Sequence, residues 1–187
     1  QGSTYREYFN NASSYSITNY GDGTFRGFSG QVGEYLLDLE SELPEELIGR
    51  FHTCFSHTVL EHIFDVHRAF ANLCKMSMGN VIVVVPVAQV QHTSPDFDDY
   101  WRFMPGSIRR LFKENGLTVV YESANNDRNA ATYLLAVGSR HPEDWGEKLP
   151  DWTGVENAAE WIGKEGSKPF TRVVDGLLGL TDRTSSG

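Results

Sequence analysis

The chain has 187 residues, 40% of them hydrophobic and 12% aromatic, which suffices for one substantial core and an extension. Sixteen Lys and Arg against twenty-five Asp and Glu give a formal net charge of -9, which repels phosphate backbones and anionic headgroups at long range and argues against a nucleic-acid partner. The apolar run over 81–85 ends at Pro86, far short of the ~20 residues a membrane-crossing helix needs, and residues 1–23 lack the basic start and apolar stretch of a signal peptide, so a soluble, cytoplasmic protein with no membrane partner is expected.

Taken in order, residues 14–19 and 34–39 read as two short strands separated by a glycine-laden loop over 21–33. Residues 50–59 (RFHTCFSHTV) alternate and are rich in aromatics, which predicts a strand ending near His57. Between Asp65 and Met78, Val66, Ala69, Phe70, Leu73 and Cys74 recur at helical spacing, with Asp65 placed to cap the start. Residues 80–87 (NVIVVVPV) form a β-branched run, the mark of a central strand buried on both faces. Pro105 suits a first helical turn, Ile108, Leu111 and Phe112 share one face, and the helix should stop at Gly116. Residues 117–123 (LTVVYES) and 132–139 (TYLLAVGS) are β-rich runs around a polar loop, an antiparallel hairpin. From His141 the composition turns to Pro, Trp, Gly and charge, with an amphipathic stretch over 155–164 and a polar tail. Residues 1–140 are therefore read as one domain, and 141–187 as an extension serving as a lid, an oligomerisation arm or a loosely ordered tail. Cys54 and Cys74 have no zinc or redox spacing and read as buried reduced thiols.

Strands alternating with helices predict an α/β sheet wound by right-handed crossovers. Such sheets take ligands beyond the carboxyl ends of their strands, beside the topological switch point. That directs attention to the loops after Asn19, Leu37, Ser56 and Val87.

Over residues 51–122 the chain carries FHTCFSHTVLEHIFDVHRAFANL, then GNVIVVVPV, then HTSPDFDDYWRFMPGSIRRLFKENGLTVV. This combination resembles the second half of a class I, Rossmann-like S-adenosylmethionine-dependent methyltransferase of the broad type 11/23 group. The resemblance implies a seven-stranded, mostly parallel sheet whose last strand is antiparallel, in keeping with the hairpin read independently. It extends weakly back to Tyr15, and by the same alignment the first strand and its G-x-G-x-G cofactor loop would precede Gln1.

The resemblance also assigns roles. S-adenosylmethionine is the implied cofactor, with Asn19, Asp22, Asp38, Leu39, Ser56 and His57 at the positions that hold it. Asn19 stands where the family usually has an acid for the ribose hydroxyls; an amide can accept one hydroxyl and donate to another but lacks the charge, and the residue can equally be a turn former. Asp38 corresponds to the acid near the adenine amino group or is a solvated strand-end charge, and Leu39 follows as an adenine wall. His57 is the candidate general base for a hydroxyl acceptor, since histidine titrates near neutral pH, or it is a hydrogen-bonded loop residue. His92, Tyr100, Trp101 and Arg102, in a loop that also holds Asp96, Asp98 and Asp99, are placed to close over the acceptor, with ion pairing by Arg102 and core filling by Trp101 as the plainer roles. Glu61 and His62 resemble a metal pair of some relatives, but Thr58 stands where those have a further acid, so no metal is expected and the pair is read as organising the helix start.

The function expected is methyl transfer to oxygen or nitrogen of a small molecule or glycan intermediate, where the cofactor brings the leaving group and the protein brings alignment and a dry pocket. The expected partners are that acceptor and, through the extension, further copies of the chain as a homo-oligomer. The alternative is a catalytically inactive methyltransferase-like binding or assembly module, suggested by Asn19 and by the missing glycine loop. A nucleotide-dependent oxidoreductase would need a glycine fingerprint that the chain lacks.

Overall fold

The computed structural model describes residues 5–21, 32–125 and 132–150. Six strands and two α-helices follow in chain order: β1 (Ile17–Asn19), β2 (Glu34–Leu36), β3 (Phe51–His57), α1 (Val66–Met76), β4 (Ser77–Ala88), α2 (Pro105–Glu114), β5 (Thr118–Ala124) and β6 (Thr132–Ser139). Short 3-10 turns over Tyr5–Phe9, Glu45–Leu47, Leu60–His62 and Pro142–Asp144 join them. The fold is α/β with a mixed sheet.

β1 and β2 pair in parallel as a two-stranded sheet, and the other four strands form a second sheet in the order β3-β4-β6-β5. β3 runs parallel to β4, whereas β6 is antiparallel to both β4 and β5. The hairpin expected from the sequence is present, with its second strand inserted against β4. Among the described residues the two sheets are separate, β3 pairing with β4 alone and β1 with β2 alone.

The helices end where their local chemistry dictates. Asp65 Oδ1 accepts the Arg68 backbone N–H at 3.1 Å and caps α1. α1 stops at Met76, two residues before the predicted end, since Ser77 takes extended backbone and already pairs in β4. The Ser77 hydroxyl donates to the Asn80 carbonyl at 2.7 Å, and the Arg140 guanidinium donates to the Cys74 carbonyl at 2.9 Å, so the last turn of α1 keeps a cationic donor. α2 opens on Pro105 and closes at Gly116, whose φ is +73°. There Leu117 N–H reaches Phe112 O at 3.0 Å and Gly116 N–H reaches Lys113 O at 3.2 Å, the bond pair of a Schellman motif.

Val81, Val83 and Val85 of β4 are buried and share a sheet face with Leu134 and Ala136, their neighbours on β6. The core also contains Phe70 of α1 and Phe112 of α2, whose rings meet edge to face at 4.9 Å. Pro86 lacks an N–H, and the register shifts between Pro86 and Ala88, which lets a proline sit in a central strand. Its carbonyl still accepts from Phe103 N–H at 2.8 Å and draws in the chain before α2.

Candidate functional site

The carboxyl ends of the parallel strands carry most of the polar side chains singled out by the sequence. Leu37 N–H donates to Asn19 O at 2.9 Å, so Asn19 at the end of β1 lies beside the segment that leaves β2 and carries Asp38. The Asp38 carboxylate accepts the Glu40 N–H and the Ser41 hydroxyl, each at 2.8 Å, which makes residue 38 the start of a tight turn. Each oxygen still has acceptor capacity, because an ionised carboxylate offers about four lone-pair sites. Leu39 packs half-buried on the core. Asp22 lies outside the described residues.

The turn after β2 is held against α1. Buried Asn72 donates to the carbonyls of Leu39 and Ser41 at 2.9 and 2.8 Å, and Asp65 N–H donates to Glu40 Oε1 at 2.7 Å. The 38–41 turn therefore abuts the start of α1.

On β3, Ser56 is buried opposite Val83, and the half-buried His57 ends the strand. His57 Nδ1 lies 3.0 Å from the Tyr5 hydroxyl and 3.1 Å from the Thr58 hydroxyl. The Tyr5 ring also packs on His57, with centroids 4.9 Å apart, and both Tyr5 and Phe9 pack on Phe55. Thr58, the next residue, has φ of 49°, a left-handed conformation that a β-branched residue adopts only under constraint. Its N–H continues the ladder to Val84 O at 2.9 Å, so the strained turn is tied to β4.

The loops after β3 and β4 are strapped together. Glu61 O accepts Tyr100 N–H at 2.8 Å and Trp101 N–H at 3.2 Å, His62 Nδ1 donates to Asp98 O at 2.6 Å, and the Trp101 indole N–H donates to Ile63 O at 2.9 Å. Glu61 and His62 thus organise the loop after β4 from a turn ahead of α1, rather than the start of the helix itself. Phe64 adds an edge-to-face contact with Tyr100 at 5.3 Å and a tilted one with Trp101 at 6.2 Å. Phe64, Tyr100 and Trp101 together form an exposed aromatic shelf.

Within that loop Arg102 is fully engaged. Its guanidinium grips both oxygens of Asp99 at 2.6 and 2.7 Å and donates further to the carbonyls of Gln89, Val90 and Trp101. The paired guanidinium holds the Asp99 carboxyl well below the usual carboxylate range, with help from the His92 backbone N–H at 2.8 Å. Arg102 serves as the tie within the loop, and the aromatic faces of Tyr100 and Trp101 are what the loop presents outward.

Beneath the strap, the Glu61 side chain is wholly buried, and among the described residues neither carboxylate oxygen has a hydrogen-bond partner in another residue. Burial pushes its carboxyl above the ordinary value. The sequence marks Glu61 only as half of a pair with His62; its isolation depends on the later loop folding over it. Tyr5 beside His57 was likewise not singled out, since the two are fifty-two positions apart. Among the described residues, no group of three or more His, Cys, Asp and Glu is arranged to hold a metal ion, and no helix is long and apolar enough to cross a membrane.

No family model matches the chain, and no curated protein matches it. Solved structures do. Magnesium protoporphyrin IX methyltransferase from Synechocystis PCC 6803, with bound S-adenosylmethionine, matches at 15% identity and a TM-score of 0.40 over 56% of this chain and 45% of its own. The 1,6-didemethyltoxoflavin-N1-methyltransferase of Burkholderia thailandensis, with bound S-adenosylhomocysteine, matches at 12% identity and 0.46, over 57% of this chain and 50% of its own. An S-adenosylmethionine-dependent methyltransferase from Mesorhizobium loti matches at 14% identity and 0.48, over 72% and 84%. All three are methyltransferases. The chain spans about half the length of the first two.

Proposed function

We propose that this chain carries the greater part of a class I methyltransferase domain, and that it transfers a methyl group from S-adenosylmethionine to oxygen or nitrogen of a small-molecule acceptor. The observation that carries the reading is the strand order β3-β4-β6-β5, in which a parallel pair is followed by an antiparallel strand inserted ahead of β5. It supports the antiparallel final strand that the resemblance over residues 51–122 implies. On this reading a further strand and its glycine-rich loop lie between β1 and β3, alongside the edge of β3 that no described strand pairs.

Asn19 and Asp38 fit the hydroxyl and amino donors of the nucleoside, since both side chains can accept, one from the end of β1 and one from the segment that leaves β2. When bound, the cofactor supplies an activated methyl and a neutral thioether leaving group. The chain's own residues supply the rest. With Nδ1–H of His57 donating to the Tyr5 or Thr58 hydroxyl oxygen, the ring is oriented so that Nε2 can take the proton of an acceptor hydroxyl as the new bond forms. The loop strapped over Glu61 shields that end of the sheet from water, with Tyr100 and Trp101 facing the acceptor.

A second reading is a binding or assembly module without activity, favoured by Asn19 where an acid would give charge-assisted bonds to ribose. Calorimetric titration of S-adenosylmethionine and S-adenosylhomocysteine tests both. Saturable binding that is weakened by Asp38→Ala supports the enzyme, and silence from this chain and from any longer form with upstream residues overturns it in favour of the module.

A further inference from the structure

Every buried side-chain atom that lacks a hydrogen-bond partner among the described residues belongs to one neighbourhood: Glu61 Oε1 and Oε2, Gln89 Oε1 and His92 Nδ1. Isolated polar atoms normally scatter, and each one desolvated without a partner is costly. Four together, contributed by the loops after β3 and β4, make a set that is short of donors.

The surroundings explain why the set is not satisfied from within. Arg102, the cation at hand, is spent on Asp99 and on three backbone carbonyls, so the charges of Asp99 and Arg102 cancel and Glu61 is left over. His62 donates through Nδ1 to Asp98 O, and its Nε2 stands 3.9 Å from Glu61 Oε1, too far for a direct bond. His92 Nδ1 lies 3.3 Å from Asp99 Oδ2 without hydrogen-bond geometry. One proton on Glu61 would answer one acceptor and leave the other Glu61 oxygen and Gln89 Oε1 unmet.

We propose that Glu61, Gln89 and His92 form a seat for the ammonium group of a primary or secondary amine. An ammonium carries two or three N–H donors and a positive charge in one small group, which matches neighbouring loops that leave Glu61 and Gln89 oxygens unmet and a buried carboxylate without an ion-pair partner of its own. A hydroxyl brings a single donor and no charge. The absence of a metal-type His/Cys/Asp/Glu group among the described residues speaks against a divalent ion. The His92 side chain, 39% exposed, carries the cluster to the surface. Resting on the methyl-transfer reading, this names the acceptor as an amine-bearing small molecule anchored at the loop that Tyr100 and Trp101 cap.

The test uses methylammonium chloride as the probe, with tetramethylammonium chloride, which has no N–H, and sodium chloride as controls, read by thermal unfolding and calorimetry. The expected result is a saturable rise in Tm with methylammonium alone, and an affinity about ten- to a hundredfold weaker in Glu61→Gln, the scale of one lost charge-assisted bond. In mildly acidic buffer the unaltered chain should release a proton as the probe binds, seen as a dependence of the heat on buffer ionisation enthalpy; this holds the inference to account even if the variant does not fold. Equal responses to all three salts, or a Glu61→Gln variant that binds as well as the parent, would overturn the seat. Ammonium chloride binding more tightly than methylammonium would overturn the amine ligand in favour of a free ion. Failure of the methyl-transfer reading shows separately, as silence toward S-adenosylmethionine, because the probe titration needs no cofactor.

Discussion

The ring of Phe112 occupies the space that a Cβ on Gly138 would need, so that α2 lies directly on the backbone of β6. Adding that one carbon forces Phe112, already packed edge to face on Phe70, out of the core. Gly138→Ala should therefore destabilise the fold by about 1–3 kcal/mol, the cost of overpacking, in urea unfolding. Gly106→Ala in the first turn of α2, where a Cβ meets nothing within 4 Å, is the matched control and should be neutral or stabilising.

Asp99 and Arg102 clamp the loop after β4 by two charge-assisted bonds, and the Asp99 side chain is fully shielded. Because Asp99 is held below its ordinary 3.8 by the Arg102 hydrogen bond, its contribution is complete above that value and is lost only as the pH falls through the lowered one. Hydrogen exchange at the backbone amides of His92, Tyr100 and Trp101 should remain slow down to about pH 4 in the parent. In Asp99→Asn the same amides should exchange faster at neutral pH, and unchanged protection there would count against the clamp.

Glu61 behaves in the opposite sense. Its carboxyl is raised by burial, so the folded chain holds a proton that the unfolded chain releases, and stability falls as the pH rises from the ordinary glutamate value of 4.5 toward the raised one. Glu61→Gln removes a titrating group while keeping shape. The variant should lose this slope and be at least as stable as the parent at neutral pH, measured as Tm against pH in sodium buffers free of amines.

Cys54 on β3 and Cys74 on α1 are buried free thiols, each pushed up to about 12 by desolvation. Thiolate is the reactive form, so neither should react with a thiol reagent in the native state. Both should react together at the rate of global unfolding, and a single fast thiol would show that β3 and α1 do not pack as described.

The Arg109 guanidinium lies 2.6 to 3.0 Å from the buried Glu122 carboxylate and ties α2 to β5. Removing Arg109 leaves the buried Glu122 charge uncompensated. Glu122→Leu with Arg109→Met should cost less stability than Arg109→Met alone, read from a double-mutant cycle in urea.

Local rules made several elements legible in advance. The period of Val66, Ala69, Phe70, Leu73 and Cys74, the cap at Asp65, the proline and glycine that bracket α2, and the β-branched run of β4 each carry their cause within a few residues. The positions of Asn19 and His57 at strand ends were readable for the same reason, whereas β2 stops at Leu36 and leaves Asp38 in the turn that follows. Their partners were not, because pairing across tens of positions leaves no trace in a local pattern. Tyr5 meets His57, Glu40 meets Asp65, and Glu61 is sealed by Tyr100 and Trp101 only once the chain has folded back.

The sequence by itself determined the alternation of strands and helices, the antiparallel hairpin and the negative net charge, since these depend on side-chain periodicity and on counting charge. Only the tertiary structure decided that β6 sits between β4 and β5, that Arg102 is consumed by Asp99, and that Glu61 is left buried without a donor from another described residue. Those outcomes turn on which groups lose water together, and desolvation belongs to the assembled loops rather than to any residue alone.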